Sequence, residues 1–366
     1  MKYCALVNPG LENICGKEIK ELINLDTKIS PGAVEFDSDP KKALSLLHRA
    51  QSVRRLLLQL GTWKKTDKIN LENIKWPEWV ASGLSFRAEV ENLKGQENRL
   101  AVAKAFVGAV FTAAEKQHIS LSIDLKKPDF LLVVHFNGTE YFAGLDLAGF
   151  ELNARDYRVF TNSASCKGDI GYFFARRSGF VPGKKLLVGF AKDGVISIEA
   201  ALYANNKPVH RKTAEEFSYS RLPLFKGLNY GPAKTKKASV IIAIDESNQN
   251  VIAARKNAQI AGVRELVSIQ RMYLDELSGT YAEKEFDNLI FQITTKDEDK
   301  LNEMYHQAEY LLKPKGTLLF ISRRGWDAAI SSKFTLVAKE ELERGEHIYK
   351  ILLLKKKKAA GIFMTN

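Results

Sequence analysis

The sequence predicts an α/β fold in two parts, with small mixed units first and a parallel sheet second. Three observations carry this. From about Ser165 onward, apolar strands alternate with helices, as in "KKLLVGFA" before "VISIEAALYA" and "ASVIIAID" before "NQNVIAARKNAQIAG". Repeated strand–helix–strand units of this kind build a parallel sheet with helices on both faces. Before that point, short strands flank single helices. The 366 residues also exceed what one ordinary core holds, so two or three domains are expected.

The elements follow in order. "KYCALVNP" and "GAVEFDS" read as strands and "LENICGKEIKELI" as an amphipathic helix. A second helix begins in "DPKKALSLLHRAQSVRRLLLQL" behind an Asp-Pro start. "LSFRAEVENL" alternates like a half-buried strand, and "NRLAVAKAFVGAVFTAAEKQ" is a long helix. "FLLVVHFNGTEYFAGLDLA" is a hairpin turned at Asn137-Gly138. "IGYFFARRSGF" is a helix stopped near Gly179. After the first two βα units come "FDNLIFQI", "KLNEMYHQAEYLL" and "GTLLFIS", and "FTLVAKEEL" with "HIYKILLLKKKK" closes the sheet as a strand pair. The tail over 357–366 is expected to be flexible.

Composition narrows the class. Hydrophobic content of 45% and charged content of 27% suit a soluble globular protein. No apolar run approaches the roughly 20 residues that span a bilayer, so no membrane association is expected. Cys4, Cys15 and Cys166 show no metal-ligand spacing and the six histidines are scattered, so no metal site is expected. The thiols and the early polar N-terminus suit a cytoplasmic location. The net charge is +12, and it is uneven: 22 basic against 20 acidic residues over 1–160, 14 against 5 over 161–240, and 19 against 18 over 241–366. A local excess of this size attracts polyanions.

Two stretches add a family resemblance. "SIDLKKPDFLLVVHFNGTEYFAGLDLAGFELNARDYRVF" resembles a THUMP domain leaving its terminal strand, with a ferredoxin-like domain before it. The second half resembles the Rossmann-type methyltransferase domain of THUMP-containing RNA guanine methyltransferases, which use S-adenosylmethionine. The resemblance implies a ferredoxin-like domain over 1–60, a THUMP α+β domain over 61–155, a linker and helix over 156–182, and a Rossmann-like class I methyltransferase domain over 183–356. Residues 1–160 are then expected to fold as an independent unit. THUMP domains are associated with the acceptor end of tRNA, which makes tRNA the leading partner.

The chemical residues of that family are mostly replaced here. Its loop D-P-x-C-G-S-G-T precedes I-E-A-A, which is Ile198 to Ala201 in this chain. Counting back, the Asp falls on Val188, the Pro on Gly189, the Cys on Ala191, the first Gly on Lys192, the Ser on Asp193 and the Thr on Val195; only Gly194 matches. Asp245 ends the next strand where an acid would accept ribose hydroxyls, and it equally suits a helix cap or a solvated loop. The acid expected near the adenine falls on Tyr273, with Asp275 two residues on. The N-P-P-Y motif that would hold and stack a flipped base becomes Gln292, Ile293, Thr294 and Thr295.

The resulting expectation is an RNA-binding protein on a methyltransferase scaffold, without methyl transfer of its own and with no cofactor. Two alternatives stand beside it. One is a divergent methyltransferase that binds S-adenosylmethionine at Gly194 and Asp245; the other is a non-catalytic subunit with a protein partner in RNA modification. Lys126 and Lys127 in the strand turn, Arg155 and Arg158 in the linker, and Arg211 and Lys212 further on are the expected phosphate contacts. Phe217, Tyr219, Phe225 and Tyr230 lie among basic residues and read either as base-stacking rings or as core.

Overall fold

The computed structural model describes residues 1–211, 213–231, 238–293, 297–323, 330–344 and 347–357. Two compact units result. The first comprises Met1–Ala154 together with Val209–Pro232, and the second Arg155–Pro208 with Ala233–Asn366. Lys212 and residues 358–366 of the expected tail lie outside the described residues.

The first unit is built on one mixed sheet. Its elements are β1 (Lys2–Val7), α1 (Glu12–Ile23), β2 (Lys28–Ser30), β3 (Ala33–Asp37), α2 (Pro40–Arg49), β4 (Val53–Lys64), α3 (Trp76–Trp79), β5 (Ser85–Glu91), α4 (Gln96–Glu115), β6 (Ser122–Ile123), β7 (Phe130–Phe136) and β8 (Glu140–Asp146). The strand order β2-β3-β1-β4-β8-β7-β5-β6 is continuous. Strand β4 is its centre: it pairs antiparallel with β1 on one side and β8 on the other. The division expected at residue 60 therefore runs through a strand shared by both parts.

The helix expected to start at Asp39 is shorter than the apolar pattern suggests. Asp39 caps it by accepting from Lys42 N–H at 2.9 Å, and Pro40 opens the first turn. It stops at Arg49 because the buried Glu18 carboxylate captures the next backbone groups. Gln51 N–H and Ser52 N–H donate to it at 2.8 and 3.0 Å. The chain then enters β4, where Leu56, Leu57 and Leu58 are buried. Short apolar runs fit a strand and a helix equally until such a partner decides. The Asn137-Gly138 hairpin forms as expected: Asn137 Oδ1 accepts from Thr139 N–H at 3.0 Å and Glu140 N–H at 2.8 Å, and Gly138 takes the left-handed φ of +107°.

Residues 209–231 return to this first unit rather than extending the second. Ser218 N–H and Tyr219 N–H donate to Ala148 O and Leu147 O at 3.1 and 3.0 Å, and Val209 N–H donates to His48 O at 2.8 Å. Phe217 and Phe225 are buried. The His48 and Tyr230 rings stack with centroids 3.9 Å apart, His48 Nε2 lies 3.1 Å from Tyr219 Oη, and Arg49 Nη2 donates to Gly231 O at 2.6 Å. Phe217 and Phe225 are therefore core residues, while the partly exposed Tyr219 and Tyr230 pack against His48 at the edge of it.

The second unit holds α5 (Gly168–Arg177), β9 (Lys185–Gly189), α6 (Val195–Asn205), β10 (Val240–Asp245), α7 (Asn248–Ile260), β11 (Ser268–Arg271), α8 (Leu277–Thr280), β12 (Phe286–Ile293), α9 (Glu298–Leu311), β13 (Leu312–Ser322), β14 (Phe334–Arg344) and β15 (His347–Lys356). Its sheet order is β11-β10-β9-β12-β13-β15-β14. Strands β9 to β13 are parallel, and β13, β15 and β14 pair antiparallel. This is the doubly wound sheet with a closing strand pair that the sequence pattern predicts. The strand order reverses between β9 and β12, so the crevice past their carboxyl ends is where such a sheet offers a site. Among the described residues, no helix is long and apolar enough to cross a membrane.

Two predictions follow from the first unit. A fragment ending at Phe160 lacks Phe217, Phe225 and the strand-end partners of Leu147 and Ala148. It should unfold at lower urea than the first unit with 209–231 present, and Phe217→Ala in the full chain should cost about 3–5 kcal/mol; equal midpoints for fragment and unit would contradict this packing. The second concerns acid. Burial lowers His48 to about 4, with Arg49 and His210 adding to the effect. Burial also lowers His135 to about 4, against the attraction of Glu91 and with Arg54 adding. Both fold neutral, whereas an unfolded His protonates near 6.5. Stability is therefore whole above pH 6.5 and falls as the pH drops toward 4, by up to about 3 kcal/mol per residue. Urea midpoints should decline from pH 6.5 to 5, and His48→Gln or His135→Gln should make that decline shallower; an unchanged slope in both would refute the assignment.

Candidate functional site

The crevice at the switch point is formed by the loop from β9 to α6, the end of β10 and the end of β12. The loop backbone turns left-handed three times, at Phe190 (φ +54°), Lys192 (φ +55°) and Gly194 (φ +84°). Only the last is glycine. For a side-chain-bearing residue this conformation costs roughly 1–2 kcal/mol, so neighbouring contacts must hold it. At Gly194 a Cβ would sit 2.9 Å from the Ala254 Cβ of α7, which fixes glycine there by close packing of α6 on α7.

Those contacts are dense. Lys192 N–H donates to Asp245 Oδ2 at 2.8 Å, and its ammonium donates to Ala164 O at 2.8 Å. Burial holds the Lys192 ammonium below the usual lysine range. Asp193 is fully buried. Its Oδ2 accepts from Asn162 N–H at 3.2 Å and faces Arg158 Nε at 3.4 Å, its Oδ1 accepts from Ser165 Oγ, and its backbone carbonyl accepts from Asn257 Nδ2 at 3.0 Å. The segment 158–165 is thereby tied to the loop. Asp245 Oδ1 accepts from Ser247 N–H and from Asn250 Nδ2, both at 2.9 Å. A carboxylate offers about four acceptor positions, and these bonds with Lys192 fill three of them.

The opposite wall is β12. Gln292 is buried, and its Nε2 donates to Phe190 O at 3.0 Å, directly across the switch point. Phe190 packs on Phe291 with centroids 6.3 Å apart. Lys300 Nζ stands 4.9 Å from the Phe190 ring centroid and 3.1 Å from Glu246 Oε1. Tyr273 is 46% exposed; its N–H donates to Glu276 Oε2 at 2.7 Å, and its hydroxyl accepts from Arg271 Nη2 at 2.9 Å. Asp275 lies in the short turn past β11. Thr294 and Thr295 lie outside the described residues.

The expected phosphate contacts separate into distinct cases. Lys126 and Lys127 are exposed on a rigid turn whose N–H groups donate to Asp124 Oδ1 at 2.8 and 3.0 Å. Arg155 is a correction. Its side chain is 0% exposed, and its Nε donates to Glu199 Oε1 at 2.8 Å, where Tyr157 Oη also donates at 2.8 Å. Burial opposes its charge, yet Glu199 outweighs this and holds the guanidinium above its ordinary range. A buried paired guanidinium cannot meet a phosphate without taking the cation away from the buried Glu199 carboxylate. Arg158 is 23% exposed and faces Asp193. Arg211 is exposed on the segment that returns to the first unit. The structure thus divides the basic 161–240 stretch between the two units. Sequence reasoning missed the tie formed by Asn162 and Ser165, because small polar residues before a helix read as an ordinary loop.

The comparisons agree with this architecture. The UPF0020 family, described as "RMKL-like, methyltransferase domain", matches residues 155–342. Among solved structures, TrmN from Thermus thermophilus is similar at 19% identity and a TM-score of 0.67, over 97% of this chain and 99% of that one. SMU.472, complexed with SAH, is similar at 17% identity and 0.72, over 98% and 99%. A Clostridium difficile 630 protein is similar at 17% identity and 0.73, over 98% of both chains. At these identities the likeness is one of fold, namely the mixed α/β architecture with a Rossmann-like class I methyltransferase domain. With its doubly wound second unit and a family match over more than half its length, the chain belongs to the UPF0020 family of RMKL-like methyltransferase domains.

Proposed function

We propose that this chain binds RNA, tRNA first, through a THUMP-like first unit on a methyltransferase scaffold, and that it does not itself transfer methyl groups. One observation carries the second half of this reading: the crevice at the switch point is closed by the protein's own bonds. S-adenosylmethionine in such a fold needs a backbone that a ligand can approach closely and a strand-end acid free to accept ribose hydroxyls. Here Lys192 covers the first position, and Asp245 holds Lys192 N–H, Ser247 N–H and Asn250. Gln292, the residue placed to hold a base amine, has its Nε2 donating to Phe190 O, which anchors the side chain and leaves Oε1 as the atom that would accept an amine. The buried Lys192 and the three donors already on Asp245 argue against the cofactor. The RNA half is supported by the net charge of +12 and by the exposed lysines of the Asp124-capped turn.

A second reading is favoured by the loop's shape. Lys192 and Gly194 keep the left-handed backbone that a glycine loop would use, and Asp245 still ends β10. A divergent methyltransferase would need the side chains to move while this backbone stays.

Two measurements decide. Calorimetry with S-adenosylmethionine at micromolar concentration should show no saturable site. A stoichiometric site would support the divergent enzyme, and Asp245→Ala should then weaken it. Full-length protein should bind folded tRNA with an affinity that falls steeply as salt rises. Lys126→Ala with Lys127→Ala should weaken binding and lower the salt slope by up to about two. No affinity of the wild type for tRNA at low salt would end the RNA reading.

A further inference from the structure

In the second unit, residues 158–162 run along α7, and the backbone there is fixed by one buried side chain. Asn257 is 0% exposed; it accepts from Phe160 N–H at 3.0 Å through Oδ1 and donates to Phe160 O at 2.9 Å through Nδ2. The same Nδ2 donates to Asp193 O at 3.0 Å, so this clamp joins the tie on the β9–α6 loop. A second clamp follows, with Asn162 Nδ2 donating to Asn250 Oδ1 at 2.9 Å. The held residues nonetheless present apolar side chains to solvent. Phe160 is 39% exposed and Val159 58%, and Ile252 on α7 is 44% exposed. Lys256, one helical turn beyond Ile252, places its ammonium 4.6 Å from the Phe160 ring centroid.

The two segments that meet at this ring are rich in cations. Helix α7 contains no Asp or Glu, and neither does the stretch from Tyr157 to Gly168. Between them they carry Arg158, Lys167, Arg255 and Lys256, and the acid that faces Arg158, Asp193, is fully buried. A fixed, exposed aromatic ring beside a cation is one way proteins hold an unpaired nucleotide, with the base on the ring and the phosphate on the cation. An acidic protein surface would satisfy the cations but gives no reason for a rigid ring held open to solvent.

We propose that Phe160 and Lys256 form a platform for a single-stranded RNA segment, the base stacking on Phe160 and the adjacent phosphate meeting Lys256. This deepens the RNA reading and rests on it. It also moves the expected contacts in this region from Arg155 and Arg158, which face the protein's own carboxylates, to their neighbours on the surface.

The test uses full-length protein and fluorescence anisotropy with a labelled single-stranded oligoribonucleotide and a folded tRNA. Phe160→Leu keeps apolar bulk but removes the ring, and should weaken oligonucleotide binding about tenfold, with Phe160→Tyr restoring it. Lys256→Gln should lower the salt slope by about one. Thermal melts should match the wild type for all three variants. If wild type binds neither RNA, the RNA reading itself falls and this platform with it. If wild type binds and the Lys126/Lys127 variant weakens, while Phe160→Leu and Lys256→Gln leave both affinities and slopes unchanged, the platform alone is overturned and the face serves a different partner.

Discussion

The bond from Lys192 N–H to the Asp245 carboxylate is the joint on which the second unit's crevice depends. It links the loop after β9 to the end of β10 at 2.8 Å, and it holds a lysine in a backbone conformation that favours glycine. Asp193, the next residue, extends the joint. Its buried carboxylate gathers Arg158, Asn162 and Ser165, so that 158–165 is tied down over the loop. Removing either acid would strand buried donors in a low-dielectric interior, which costs more than the bonds add when present. In a loop built this way most of the acceptor capacity of Asp193 and Asp245 is used by the protein's own donors.

The same acid-and-clamp logic recurs in the first unit. Glu18 captures the backbone after α2 and turns it into the central strand. Arg55 on that strand faces Asp146 at 2.6 Å and Glu91 at 2.8 Å, which ties β4 to β8 and β5 on one face of the sheet. Asp124 holds the lysine turn rigid. Under the proposed RNA reading, a turn ordered in this way would lose less entropy on meeting phosphate.

Much of the fold was legible in the sequence because it depends on local pattern. The βα alternation, the Asn137-Gly138 hairpin and the stop of α5 before Gly179 each follow from periodicity or turn chemistry within a few residues. What escaped depends on distant partners. Nothing near Val53 distinguishes a strand from a continued helix; Glu18 decides it from 34 residues away. The aromatics of 217–230 sit among lysines in sequence and against His48 in space. Arg155 read as a surface cation because its partner, Glu199, lies 44 residues on. The loop replacements at Lys192 and Asp193 were visible as departures from the family pattern, but their role as ties needed coordinates. Asp245 was legible as a strand-end acid, and the structure adds that Lys192, Ser247 and Asn250 donate to it.

The central claim is that the β9–α6 loop is held closed by its own side chains. Amide hydrogen exchange of residues 189–196, with and without millimolar S-adenosylmethionine, tests it most directly. The account predicts slow exchange that is the same in both conditions, and faster exchange in Asp245→Asn because the Lys192 N–H loses its charged acceptor. Fast exchange in the free wild type that slows only when the cofactor is added would contradict it.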